Sequence, residues 1–220
     1  MTRDDAPVIL MGSGGHAKVI IDMLVDRGDI RIAGCVTVDT DAADLLGLPI
    51  LGNDDALGDL HASGLRHVFV AIGDNRVRAE RMQHVRALGF TIVNAISRHA
   101  IVSARARLGQ GVAIMPGAVI NVDAVVEDGA IINTGATVDH DCRIGACAHI
   151  APGAHLAGHV TVGTGTFLGV GTSVIPRRTI GAWSLIGAGS AVVHDIGDRV
   201  TAVGIPARVI KRHADADGRL

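Results

Sequence analysis

From Val102 to Val192 an aliphatic residue returns at every sixth position: Val102, Leu108, Ile114, Ile120, Val126, Ile132, Val138, Ile144, Ile150, Leu156, Val162, Leu168, Val174, Ile180, Ile186, Val192. A period of six fits neither the helical repeat nor the alternation of an ordinary strand. It is the hexapeptide period of a parallel β-helix, in which each hexapeptide forms one flat face of a coil. Two places before each aliphatic the side chain is usually small, as in Ala106, Ala118, Ala124, Ala130, Ala136, Cys142, Ala148, Ala154, Thr166 and Thr172, which a narrow triangular interior requires. Three places after it Gly recurs (Gly111, Gly117, Gly129, Gly135, Gly153, Gly165, Gly171, Gly189), with Asp123 and Asp141 as substitutes. These are predicted corners, where positive φ is inexpensive for Gly and tolerable for Asn or Asp. Three hexapeptides make a coil of ~18 residues, so residue i is predicted to sit over i+18, with ~4.8 Å between coils and about five coils in the run.

The first ~95 residues follow another pattern, one of alternating short strands and helices. Val8 to Met11 reads as a strand, Gly12-Ser13-Gly14-Gly15 as a loop, and His16 to Arg27 as a helix with Val19, Ile20, Met23 and Leu24 at helical spacing and Gly28 as its stop. Further strands are predicted over Ile30 to Val38, His67 to Ile72 and Phe90 to Val93, with an Arg-rich helix from Arg76 to Leu88. This alternation predicts a small parallel α/β domain, and Asn94 to Arg107 would lead into the first coil.

The chain has 220 residues, 48% hydrophobic, and a formal charge of −2. That is enough for two domains with real cores, and the charge balance points to neither nucleic acid nor a membrane surface. An aromatic content of 2% suits a solenoid filled by β-branched and small residues. Cys35, Cys142 and Cys147 cannot all pair and none forms a C-x-x-C, which argues against a disulfide framework or structural zinc and for a reducing, cytoplasmic compartment. Met1 to Pro7 is polar and acidic, and no apolar run approaches ~18 residues, so neither a signal peptide nor a membrane span is expected.

Gly12-x-Gly14-x-x-Ala17 satisfies the dinucleotide fingerprint in its G/A form, and Asp39 follows the next strand, where an acceptor for ribose hydroxyls belongs. A plain strand-to-helix turn that binds nothing is the competing reading of such a loop. A helix N-terminus favours an anion, and a second polar loop, Gly73-Asp74-Asn75, is predicted on the same C-terminal edge of the sheet. A dinucleotide needs two mononucleotide halves, and this domain has room for about one, so a single nucleotide diphosphate is the better fit.

The densest polar stretch of the repeats is Asn133 to Cys142, with His149, His155 and His159 shortly after. A single surface histidine on a β-helix is ordinarily just solvated or packed. His140 stands out because it lies between Asp139 and Asp141, which can orient an imidazole and stabilise its charged form. Adjacent residues of a strand face opposite ways, so either carboxylate reaches the ring only if the chain bends, as a corner at Asp141 would allow. One coil beyond His140 stands Gly158, which predicts an open slot above the histidine for a thin substrate arm. Cys142 and Cys147 are candidate nucleophiles, but Cys142 falls on a small inward position and reads as packing.

Four segments, Met11 to Val19, Val70 to Arg76, Ile132 to Cys142 and Val203 to Arg208, together resemble the NeuD-type sugar O-/N-acetyltransferases over nearly the whole chain. Within that family the chain looks most like enzymes that acetylate the 4-amino group of a nucleotide-linked deoxy-amino-sugar, as in bacillosamine and perosamine pathways. The resemblance implies a nucleotide-sugar-binding Rossmann-like domain over 1–97, a left-handed parallel β-helix acyltransferase domain over 98–212, a tail over 213–220, and a homotrimer with active sites between subunits. It implies acetyl-CoA as co-substrate, lying along the β-helix, and no metal. His140 and Asp141 match the family's catalytic histidine and following carboxylate, although many relatives carry Glu at the latter. Gly12, Ser13, Gly14, Gly15, His16 and Asp39 match the nucleotide-sugar pocket, with Gly73 and Asn75 on the second loop and Asn133 as a sugar contact. His149 matches a histidine near the thioester, and Gly158, Gly187, Ile205 and Pro206 are expected along the CoA channel.

The mechanism so implied is direct attack of the sugar amine on the thioester, with His140 taking the proton, Asp141 holding the ring, and a backbone N–H or His149 stabilising the oxyanion. O-acetylation of a sugar such as sialic acid by the same fold is the near alternative. A zinc β-helix of the carbonic anhydrase type, using His140, His149, His155 and His159, is a more distant one that metal analysis would separate. A non-catalytic nucleotide-sugar sensor would bind ligand without CoA-dependent turnover. The residues leave open the nucleotide base, whether UDP, GDP or dTDP.

Overall fold

The computed structural model describes residues 6–38 and 42–214, and the chain divides into two compact units, Met1–Arg98 and His99–Leu220. The first unit is built on a sheet of strands β1 (Val8–Met11), β2 (Ile32–Val36), β3 (Asp44–Leu45), β4 (Leu48–Gly52), β5 (His67–Val70) and β6 (Thr91–Ile92), in the order β3-β4-β2-β1-β5-β6. All neighbouring pairs run parallel except the β3–β4 hairpin. Central β1 is buried from end to end, with Met11 opposite both Val36 and Val70. The loops that leave β1 and β5 therefore lie side by side on one edge of the sheet.

Helices α1 (Gly15–Arg27), α2 (Leu57–Ala62) and α3 (Asn75–Ala87) complete this unit. Helix α1 buries Ala17, Ile20, Ile21, Met23 and Leu24, while Val19, expected on that face, is 42% exposed. It ends where Gly28 adopts φ 73°, as expected of a glycine stop. The hairpin and α2 have no counterpart in the sequence pattern, because the apolar run Leu45 to Leu51 is interrupted by Gly47 and Pro49 and shows neither the helical nor the alternating period. Strands β2 and β5 stop two residues before their expected ends. In both cases the apolar run continues past the last ladder pair into the edge loops.

The second unit is a left-handed parallel β-helix of two-residue strands, stacked on three faces at a spacing of 18 residues: Ile101, Val119, Thr137, His155 and Ser173 pair in sequence on one face. Every sixth aliphatic from Ile114 to Val192 is 3% exposed or less. Burial of each such side chain is worth about 2 kcal/mol. Val102 and Leu108, at the open end, are half-buried. The small inward positions are closed to solvent from Ala118 to Thr172, and where they are polar the hydroxyl finds a carbonyl: Thr172 Oγ1 donates to the Gly169 oxygen at 2.7 Å and Ser184 Oγ to that of Gly197 at 2.8 Å. The far end is closed by an antiparallel hairpin, Val200–Val203 with Arg208–Arg212, which covers an edge that would otherwise offer unpaired backbone groups.

Positive φ occurs at every sixth residue from Gly111 to Gly189 without exception. The expected glycines and Asp123 and Asp141 hold most of these corners, and Cys147, His159, Arg177 and Trp183 hold the rest, at φ 53° to 61°. One of the three corner columns is all Gly (117, 135, 153, 171, 189), whereas the column 123, 141, 159, 177 contains none. Each non-Gly residue there costs about 1–2 kcal/mol of backbone strain. The interior aliphatics hold the coil to its turn regardless of what stands at the corner.

Candidate active site

The glycine-free corner column carries the pair His140 and Asp141. At Asp141 the chain turns left-handed, φ 59°, and this bend brings its carboxylate Oδ2 to 2.8 Å from Nδ1 of His140. A carboxylate only accepts, so Nδ1 carries the hydrogen and Nε2 is the nitrogen left to take a proton. Asp139 does not touch the ring: its Oδ1 accepts the backbone N–H of His140 at 2.7 Å and the Asn121 amide at 2.9 Å, which caps the corner. The Asp141 contact holds the His140 imidazolium above the usual histidine range, opposed by partial desolvation and Arg177 and aided by the charges of Asp139 and Asp141. The same bond holds the Asp141 carboxyl below the usual carboxylate range.

Gly158 does lie one coil beyond His140, but the expected open slot is filled by the imidazole itself. A Cβ built on Gly158 would stand 2.4 Å from Nε2 and 2.5 Å from Cε1 of His140. The left-handed corner folds the ring back along the next coil, and only a glycine there leaves room for it. Next to Gly158, His159 places Nε2 at 3.6 Å from the same Asp141 oxygen, and its ring meets that of His140 edge-on, centroids 5.2 Å apart at 88°.

At the opposite end of the Thr137–Val138 face stands a second pair, Asn133 and His149. The Asn133 Oδ1 accepts the N–H of Thr134 at 2.8 Å, which turns its amide nitrogen to Nε2 of His149 at 2.9 Å. His149 Nε2 is then the acceptor and its ring hydrogen sits on Nδ1. The buried ring packs edge-on against Phe167 at 5.0 Å. His155 is engaged with Thr137 at 3.0 Å. The four histidines of the zinc reading thus do not gather at one point among the described residues; His140 and His159 alone come together, around Asp141.

Cys142 is buried, donates to the Ala157 oxygen at 3.1 Å, and is pushed up to about 11 chiefly by burial, so it packs the interior as its position implied and is no thiolate nucleophile. Gly187 lies against Val203: a Cβ placed on this glycine would stand 2.7 Å from Cγ1 of the valine. Ile205 is 80% exposed in the turn of the closing hairpin and precedes Pro206 across a cis bond.

In the first unit a cavity of about 410 Å³ opens at the sheet edge, lined by Gly12, Ser13, Gly14, Gly15, His16 and Gly73 together with Thr37, Asp54 and Arg81. Asp39 lies outside the described residues. No side chain caps α1 at Gly14, which leaves a helix N-terminus suited to an anion. Ser13 Oγ meets Thr37 Oγ1 at 2.6 Å, tying the loop to the end of β2. His16 is lowered to about 4 by burial and by the Arg78 charge, so it is a neutral hydrogen-bonding group at neutral pH.

Asn75, expected in the pocket, is not among its lining residues. Its oxygen accepts from Arg78, which also donates to the carbonyls of Ile72 and Gly73 at 2.9 and 3.0 Å while 1% exposed. Arg78 thus holds the Gly73 loop from below, a role that no sequence motif marks. The available signal is an arginine in register with the buried Met82 and Val85 of α3. The Asp54–Arg81 ion pair at the cavity is equally unmarked, because it follows the hairpin that the pattern does not predict.

Gly12 is irreplaceable on steric grounds: at φ 126° its Cβ would stand 2.7 Å from the carbonyl oxygen of Ala71, a backbone atom that cannot yield. Gly12→Ala is expected to cost the first unit on the order of 2 kcal/mol, read as an earlier unfolding midpoint in urea.

One unit thus carries a strand–glycine-loop–helix cavity on a Rossmann-like sheet, and the other a polar corner on a left-handed β-helix of hexapeptides. Residues 7–85 match the family model for the PglD N-terminal domain. Perosamine N-acetyltransferase from Caulobacter crescentus, solved in complex with CoA and GDP-perosamine, is 50% identical, with 93% of this chain and 97% of that chain covered and a TM-score of 0.90. Variants of that enzyme with one histidine replaced by Asn or Ala match equally in identity and coverage. The acetyltransferase domain of PglB from Neisseria gonorrhoeae, in complex with acetyl coenzyme A, is 35% identical over 94% of this chain and 100% of that domain, TM-score 0.87. Uncharacterized protein L142 of Acanthamoeba polyphaga mimivirus is 32% identical over 104 residues, and the match spans 47% of this chain and only 20% of that protein. The chain belongs to the NeuD-type nucleotide-amino-sugar acetyltransferase family.

Proposed function

We propose that the protein transfers the acetyl group of acetyl-CoA to the 4-amino group of a nucleotide-linked deoxy-amino-sugar. The observation that carries this reading is the His140–Asp141 contact at 2.8 Å on a half-exposed corner, which leaves Nε2 as a base. The 50% identity to an enzyme solved with CoA and GDP-perosamine supports GDP as the nucleotide and an amine as the acceptor. The diphosphate belongs at Gly12 to His16 and Gly73. Asn133 is assigned to the sugar, His149 to the thioester, and Gly187, Ile205 and Pro206 to the pantetheine channel, while Gly158 seats the His140 ring.

In the reaction, the amine nitrogen attacks the thioester carbonyl, His140 Nε2 accepts the amine proton, and Asp141 steadies the charged ring. A backbone N–H or His149 stabilises the oxyanion before the CoA thiolate departs. A cytoplasmic homotrimer with sites between subunits is part of the same proposal. None of the helices is long and apolar enough to cross a membrane among the described residues.

The test is CoA thiol release with UDP-, GDP- and dTDP-linked 4-amino-sugars. Turnover on the GDP-linked amine supports the proposal; silence on every amine with turnover on hydroxyl acceptors overturns it in favour of O-acetylation. The base must be neutral to act, and Asp141 raises the pH at which His140 becomes so. The acid limb of kcat/KM therefore lies above the ordinary histidine range. Asp141→Asn removes the charge, and the limb is expected to move to lower pH while kcat falls about tenfold.

A further inference from the structure

The column 123, 141, 159, 177 is the only corner column without glycine among the described coils. Arg105 pairs with Asp123 at its start, Asp141 holds His140, and His159 and Arg177 follow at the same spacing. A histidine held left-handed at φ 61° on a register that Gly serves elsewhere is a strained choice, and such choices gather where a side chain is needed. The His159 side chain meets both members of the pair: its Nε2 approaches Asp141 Oδ2 at 3.6 Å, and its ring edges onto that of His140. Its own backbone N–H binds the His140 carbonyl at 3.0 Å, which fixes the ring's origin relative to the residue it faces.

We propose that His159 is a positioning residue, which confines the Asp141 carboxylate and the His140 imidazole to the one arrangement in which they stay bonded. This rests on the acetyl-transfer reading for its catalytic consequence, though not for its geometry. Without His159 the half-exposed carboxylate is free to rotate into solvent, and the ring loses its edge-on neighbour. The groups that face His140 are Asp139, Asp141, His159 and Arg177; Asp139 is fixed by the backbone and by Asn121, so the mobile partner is Asp141.

The sign of the pH effect separates positioning from plain charge. A lost positive neighbour would make His140 easier to protonate and drive its titration to higher pH. A loosened Asp141 does the reverse, because the contact that holds the imidazolium up is weakened.

The experiment is NMR titration of the His140 ring in the wild-type protein, His159→Ala and His159→Gln, with kcat measured on the same samples. Positioning predicts that in His159→Ala the His140 midpoint moves to lower pH and kcat falls about tenfold, and that Gln, whose amide still reaches the carboxylate, restores both in large part. A midpoint that stays or rises in His159→Ala overturns the proposal, as does a fall in kcat with the midpoint unmoved. The titration needs no substrate, so a wild-type protein that fails to turn over amino-sugars refutes the function and leaves this test standing.

Discussion

His140→Ala is expected to lower kcat for acetyl transfer about 10²–10⁴-fold, the usual worth of a general base, with KM for acetyl-CoA and for the sugar nucleotide little changed. The side chain is 46% exposed and its loss opens no interior cavity, so the thermal midpoint should hold. The size of the loss distinguishes two roles. A residual rate within about tenfold of wild type would mean that the amine arrives already neutral and that the imidazole merely orients it, taking the proton late. A full loss in His140→Ala, with the acid limb abolished, identifies the ring as the group that titrates. Asn at this position keeps a hydrogen-bonding atom near Nδ1 and lacks the base, so it should fall as far as Ala.

Much of this is legible because a solenoid writes its geometry into spacing. Every aliphatic on the period of six from Ile114 to Val192 is buried, and the 18-residue step alone places Gly158 over His140. What spacing does not express is where a side chain goes after leaving the backbone. Gly158 reads as an empty slot, yet the slot belongs to the histidine, since the left-handed turn at Asp141 swings the ring along the coil. The corners at Cys147, His159, Arg177 and Trp183 obey the same arithmetic as the glycines. Residue preference hides them, because intrinsic propensity argues against left-handed bulky residues and the packed interior overrides it. In the first unit the glycine loop announces itself through its motif, whereas Arg78 acts through contacts made across a loop that has no period. Long-range polar contacts of that kind, like the Asp54–Arg81 pair, leave no local pattern to read.

The most discriminating substitution is the smallest one. Gly158→Ala adds one methyl group at a position 2.4 Å from Nε2 of His140, and the ring must withdraw by on the order of 1 Å to regain ordinary contact. The backbone at Gly158 is not left-handed, and the atom in the way is the far end of an exposed side chain, so folding should scarcely notice. Catalysis should: a displacement of that size typically costs about 10²-fold, and it also pulls Nδ1 away from Asp141. The expected result is a kcat down by about two orders of magnitude at an unchanged melting temperature, with the acid limb moved to lower pH as the Asp141 contact loosens. Because the harm travels through the ring, it should vanish when the ring is absent. His140→Ala with Gly158→Ala should be no slower than His140→Ala alone. If the two losses multiply instead, Gly158 serves the reaction by some other route, such as direct contact with the pantetheine arm, and the seat it provides for the imidazole is incidental.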